Sequence, residues 1–66
     1  MYPKLHVGDR VQVIDVESAY FERFGTVVAT DLGGGPGAGN EIIRVELEDP
    51  TEAHNFRRKQ LSDAIV

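Results

Sequence analysis

The stretch from Val7 to Asp31 limits the fold more tightly than any other part of the chain. It holds two runs rich in β-branched and aromatic residues, each anchored on one glycine (Gly8 and Gly25) and separated by a short aromatic loop. Val11 and Val13 alternate with Arg10 and Gln12, the period of a half-buried strand and not of a helix. Ile14 and Val16 continue on the opposite parity, so the strand is expected to end or bulge near Asp15. Glu17 to Arg23 reads as a loop, and strand character returns from Phe24 to Asp31 around Val27 and Val28. Gly25 lies inside that second run, where a glycine marks a bulge or the close approach of another backbone.

The remaining segments keep to the same short-strand vocabulary. Pro3 disfavours an early helix, Leu5-His6-Val7 leads toward the first strand, and Gly8-Asp9 is a turn pair. Between Leu32 and Asn40 lie Gly33, Gly34, Gly35, Gly37 and Gly39 with Pro36, a composition that predicts a flexible hairpin loop. From Glu41 to Asp49, Ile43, Val45 and Leu47 alternate with Ile42, Arg44, Glu46 and Glu48, which is the clearest strand of the chain. Asp49-Pro50 closes it, and Ala53 to Arg57 predicts a fourth strand carrying Phe56. Arg58 to Leu61 has the length of one 3₁₀ turn, and Ala64-Ile65-Val66 is expected to pair as a last short strand.

Short strands, tight turns and the absence of any amphipathic helical period predict an all-β domain. The expected architecture is a small SH3-like barrel of about five short antiparallel strands, with one 3₁₀ turn near the C-terminus. With 66 residues, the chain reads as one domain, residues 1–66, near the lower size limit for a chain without a disulfide or metal. Its core is expected to be thin, one aliphatic layer between two small sheets.

Composition narrows the function classes. The chain has no cysteine, so it offers no disulfide framework, thiolate zinc site or iron–sulfur cluster of its own. Seven basic against eleven acidic side chains give a net charge of −4, which argues against a dedicated nucleic-acid binder. No apolar run reaches the roughly 20 residues that span a bilayer, and Met1-Tyr2-Pro3-Lys4 does not lead into a signal-peptide core. A soluble intracellular protein, able to sit on a membrane complex, is the expectation.

Several constellations bear on chemistry. The segment Gly33 to Gly39 is glycine-rich like a phosphate cradle, but Asn40 and a strand follow it instead of Lys, Ser or Thr and a helix, so a plain hairpin loop is expected. His6 and His54 are the only histidines; neither sits in an acid–base or metal-ligand spacing, and both read as surface or strand-edge residues. Catalysis, a metal and a cofactor are therefore not expected. Tyr20 and Phe21 either anchor a partner or lid the small core. Arg57-Arg58-Lys59 is the only basic run; Arg44 joins it if the third and fourth strands pair, with Arg23 nearby, and such a patch attracts an acidic partner or RNA.

Taken in order, Gly8-Asp9-Arg10-Val11-Gln12-Val13, Glu17-Ser18 with the aromatic pair, and Gly25-Thr26-Val27 resemble the start of the PsaE family, the small peripheral SH3-like subunit of photosystem I. Ile42-Ile43-Arg44-Val45 is similar to that family's Val-Ile-Val-Arg-Phe strand, and Asn55-Phe56 with Leu61 to its Asn-Asn-Phe-Ala-x-x-Glu-Leu ending. The chain departs from the family in Ala19, in the lack of a Trp, in Glu22-Arg23 where the family has a glycine, and in the Gly33–Gly39 insertion. Related possibilities are the ferredoxin-docking NdhS subunit and the variable subunit of ferredoxin–thioredoxin reductase.

The resemblance implies a non-catalytic peripheral subunit on the cytoplasmic or stromal face of a photosynthetic membrane. Such a subunit braces the core subunits of a larger complex and helps dock ferredoxin or flavodoxin. In the family the strand arginine is tied to ferredoxin, and it corresponds to Arg44 here. The alternative is a KOW-type nucleic-acid or ribosome- or polymerase-associated module using Arg57, Arg58, Lys59 and the loop aromatics. An enzyme built like the type II dihydrofolate reductases lacks its Val-Gln-Ile-Tyr strand; the nearest run is Val11-Gln12-Val13-Ile14.

Overall fold

A computed structural model describes residues 2–64. The elements run β1 (Arg10–Val13), β2 (Phe24–Ala29), a 3₁₀ turn η1 (Ala38–Asn40), β3 (Ile42–Leu47), β4 (Glu52–Arg57), a second 3₁₀ turn η2 (Arg58–Gln60) and β5 (Leu61–Asp63). All four ladders are antiparallel, and the strands stand in the order β4-β3-β2-β1-β5. The fold is thus all-β, as the alternation predicts. The five strands form one continuous sheet where two small sheets were expected, because β1 pairs on both edges: Val11 faces Gly25 of β2 on one side and Asp63 of β5 on the other. No ladder joins β4 to β5 among the described residues.

The core explains how one sheet suffices. Leu5, Val11, Val13, Val27, Ile43, Val45, Leu47, Phe56 and Leu61 are all buried, six of them from the alternating positions of β1, β2 and β3. With no helix layer to cover that face, the sheet must coil on itself to remove it from water. Leu5 closes the core from the N-terminal arm, held in place by backbone bonds from Gly8 N–H to Val27 O (2.8 Å) and from Val27 N–H to Asp9 O (2.9 Å). Gly8 takes φ +97° in the turn between them, which a side-chain-bearing residue rarely adopts.

Two local expectations are resolved by the backbone. The first strand ends at Val13, so Ile14 and Val16 lie outside the sheet and are exposed. Gly25 is a site of close approach: a Cβ built there would sit 2.6 Å from both the Glu46 carbonyl oxygen and Val45 Cγ1. The bulge of β2 lies further on, between Val27 and Ala29, where the register against β3 shifts by one residue.

The C-terminal strand is placed differently from the expectation. It is Leu61–Asp63, starting directly from η2, with Ala64 N–H donating to Arg10 O (2.9 Å) as its last rung. Leu61 is the residue that can be buried beside Val13, its ladder partner, and this sets the register. Ile65 and Val66, also expected in that strand, lie outside the described residues.

Replacing Gly25 by valine drives its side chain against the β3 backbone in the centre of the sheet, since one blocking atom is the Glu46 carbonyl oxygen. G25V is expected to lose about 1–3 kcal/mol of unfolding free energy in urea titrations. A loss below about 0.5 kcal/mol, the range of a neutral surface change, would show that β2 and β3 can separate there without cost.

Candidate functional site

The outward face of β3 is where the candidate docking residue lies. Ile43, Val45 and Leu47 are turned to the core, which leaves Arg44 and Glu46 exposed on the opposite face. In the β3–β4 ladder Arg44 stands opposite Asn55 and Ile42 opposite Arg57, so Arg44, Asn55 and Arg57 share one surface. Arg44 Nη1 donates to Asn55 Oδ1 at 3.1 Å. That contact orients the guanidinium and leaves its charge uncompensated, because no carboxylate pairs with Arg44 among the described residues. Glu46, exposed two residues along the same strand face, is the nearest acid in sequence on that face.

The other basic residues divide by what holds them. Arg57 is exposed, and its Nη1 donates to the carbonyl oxygens of Gly34 and Asn40, both at 3.2 Å. Arg58 is turned inward and only 4% exposed; its Nε donates to Pro3 O at 2.9 Å and its Nη1 to Leu61 O at 2.8 Å. It therefore pins the N-terminal arm to the start of β5, with Tyr2 lying over its guanidinium at 5.7 Å. Lys59 is exposed and has no ion pair among the described residues. Of the basic run, then, Arg57 and Lys59 face solvent, and Arg57 shares its face with Arg44.

Arg23 belongs to a different neighbourhood, at the turn between β3 and β4. Its Nη1 reaches Glu52 Oε2 at 3.1 Å, and its Nη2 donates to Glu48 O (2.8 Å) and Pro50 O (2.7 Å). Its Nε is buried without a partner among the described residues. Tyr20 lies 5.9 Å from the same guanidinium, packs against the core, stacks on His54 at 4.5 Å between centroids and meets Phe56 edge-on at 6.0 Å. Tyr20 is thus a lid on the core, whereas Phe21 beside it is 40% exposed.

Glu52 and His54 carry a cluster that sequence reading did not find. They lie on the inward parity of β4 with Phe56, opposite Leu47 and Val45, at a mouth of the core. His54 Nε2 is 2.7 Å from Glu52 Oε1, so Glu52 receives His54 on one oxygen and Arg23 on the other. These hydrogen bonds, His54 first and Arg23 second, hold the Glu52 carboxyl below the ordinary glutamate value. Of the two expected positions for His54, surface or strand edge, it takes the second: it lies on the edge strand β4, half-buried and stacked on Tyr20. The only hint in the sequence is the polar character of alternate positions in a strand that also contains Phe56.

The glycine segment shows no phosphate-binding character. Its hollow, about 370 Å³, is lined by Asp31 and Glu41 beside Gly33 and Gly35, and carboxylates repel phosphate. Lys4 bridges the two acids, with Nζ at 2.6 Å from Asp31 Oδ1 and 3.3 Å from Glu41 Oε2. The Lys4 hydrogen bond is the main reason the Asp31 carboxyl lies below its ordinary value, and the Asp31 hydrogen bond raises Lys4. His6 sits apart, near Asp9, with its Nδ1 3.8 Å from Asp9 Oδ2. Among the described residues no group of three or more His, Cys, Asp or Glu side chains is placed to hold a metal ion.

Comparison with protein-family models, with curated proteins and with solved structures finds no match to this chain.

Two outcomes follow from these contacts. Arg58→Met leaves Pro3 O and Leu61 O without their donor and should cost about 1.5–3 kcal/mol of stability, whereas Arg44→Gln should change stability by less than about 0.5 kcal/mol; equal effects would contradict the division drawn here. Acid should also weaken the fold through Glu52 and Asp31. Because both carboxyls bind protons less readily in the folded chain, their contribution is complete above the ordinary carboxylate range and fades as the pH falls through the folded values. The urea midpoint should therefore drop below about pH 4, and less steeply in Glu52→Gln; identical pH profiles would remove Glu52 from the account.

Proposed function

We propose that this chain is a non-catalytic docking subunit of the PsaE kind. It sits at the periphery of a larger electron-transfer complex and helps hold an acidic carrier, ferredoxin or flavodoxin, against the outer face of β3 and β4. The observation that carries this reading is Arg44: it is exposed in the middle of the sheet, oriented by Asn55 and free of any carboxylate partner among the described residues. A fixed positive charge of this sort speeds encounter with an acidic carrier and selects its orientation without requiring tight binding. That suits a carrier that must leave after each electron.

The contacts of Arg58 favour this reading over an RNA-binding one. Phosphate binding draws on several free cations, and Arg58 donates inward to two carbonyls while Lys4, Arg10 and Arg23 are paired with carboxylates. Exposed Val16, Ile14 and Phe21 lie in the β1–β2 connection and offer apolar contact to the complex that carries the subunit.

In the assembled complex, Arg44→Glu should slow second-order reduction of ferredoxin several-fold at low ionic strength, with the difference shrinking as salt screens the pair. Equal rates for wild type and variant at low salt would overturn the docking role of Arg44. Salt-dependent binding of single-stranded RNA by the isolated chain, lost in a Lys59 and Arg57 double variant, would instead favour the nucleic-acid reading.

A further inference from the structure

Arg57 combines two features that the rest of the docking face does not. It is a diagonal neighbour of Arg44 across the β3–β4 ladder, since Ile42 opposes Arg57 and Arg44 opposes Asn55. Such diagonal residues lie about 7–8 Å apart on one face, close enough for two long side chains to grip neighbouring carboxylates of one partner. At the same time its guanidinium is a side-chain donor to the glycine segment, through Gly34 O and Asn40 O.

We propose that Arg57 is a second docking cation beside Arg44, and that an acidic partner takes it from the glycine segment, so that docking and the order of residues 33–40 are coupled. This rests on the reading of Arg44 as a docking residue. The exchange is favourable in direction. Both carbonyl contacts are long, at 3.2 Å, and made to neutral acceptors, whereas a guanidinium–carboxylate bond is shorter and roughly twice as strong as a neutral one. Among the described residues no other cation donates to these two carbonyls, and Lys4 is held by Asp31 and Glu41 at the two ends of the segment.

The segment itself is built to be held by few contacts. Gly33, Gly34, Gly35 and Gly37 all take positive φ. Asn40 closes a local turn, with its N–H on Gly37 O (3.0 Å) and its Nδ2 on Pro36 O (2.9 Å). Gly34 fits only without a side chain, because a Cβ there would lie 1.8 Å from the Asn40 carbonyl oxygen. That oxygen is one of the two Arg57 acceptors. Loss of Arg57 would leave the crossing of Gly34 and Asn40 without a side-chain tie, its ends still held by the backbone bonds from Ile42 N–H to Gly33 O (2.9 Å) and from Arg58 N–H to Glu41 O (2.8 Å).

The test uses the full chain, an acidic ferredoxin as probe, and amide hydrogen exchange read by NMR. Arg57→Gln should weaken ferredoxin binding roughly threefold at low salt and speed exchange of the residue 33–40 amides in the free protein. Added ferredoxin should speed those same amides in wild type. Gly34→Ala displaces the segment and leaves Arg57 free, so its affinity for ferredoxin should be kept or raised. Weakened binding in Gly34→Ala would overturn the exchange and make the segment itself a contact. If Arg44→Glu weakens binding while Arg57→Gln leaves affinity and amide exchange unchanged, the coupling is wrong and the docking reading survives. If neither arginine variant alters binding at low salt, the docking reading itself falls.

Discussion

Everything in this domain depends on one aliphatic row being removed from water without a second structural layer. Val11, Val13, Val27, Ile43, Val45 and Leu47 are at most 1% exposed, yet the described residues contain no helix other than two single 3₁₀ turns. The sheet must wrap its own inner face, and neighbouring strands have to come close enough for short side chains to meet. Gly25 is where that demand is greatest, because the Glu46 carbonyl and the Val45 methyl occupy the volume of its absent side chain. The outward placement of Arg44 follows directly, since the same alternation that buries Ile43 and Val45 turns Arg44 to solvent.

The charges are arranged around that frame with little redundancy. Lys4 joins the N-terminal arm to the flanks of the glycine segment, Arg10 joins β1 to Glu48 across β2, and Arg23 joins the aromatic loop to the β3–β4 turn. Arg10 also covers the exposed Phe24 ring at 4.5 Å. Most of these pairs are solvent-exposed and individually weak; their common feature is that each links segments distant in sequence. Arg44 stands outside this pattern, since it contacts only the neutral amide of Asn55. In this chain of net charge −4, Arg44, Arg57 and Lys59 are the exposed cations without a carboxylate partner among the described residues.

The all-β class and the strand at Ile43, Val45 and Leu47 were legible because strict alternation reports a half-buried strand directly. Gly25 was legible for a related reason: a glycine has little purpose in a strand unless space is short. Arg58 was not, since a basic residue between two others looks solvated, and only the tertiary approach of Pro3 and Leu61 supplies acceptors for it. The inward parity of Glu52 and His54 was hidden likewise, because their burial depends on Tyr20 and Arg23 arriving from another loop. The last strand begins earlier than the Ala64-Ile65-Val66 composition suggests, at Leu61, because the turn at η2 and the burial of Leu61 set the register.

The double pairing of β1 has a consequence for how the chain comes into being. Its ladder with β2 closes a short loop, but its ladder with β5 unites residues 11–13 with residues 61–63. On the ribosome, β1 emerges well before β5, so its second edge stays uncovered until residues 61–63 follow and Leu61 can enter the core. During synthesis the nascent chain carries an exposed strand edge next to half-packed valines, the condition under which chaperones bind and chains aggregate. Pairing β1 with β5 closes a long loop, a contact of high sequence separation of the kind that slows folding.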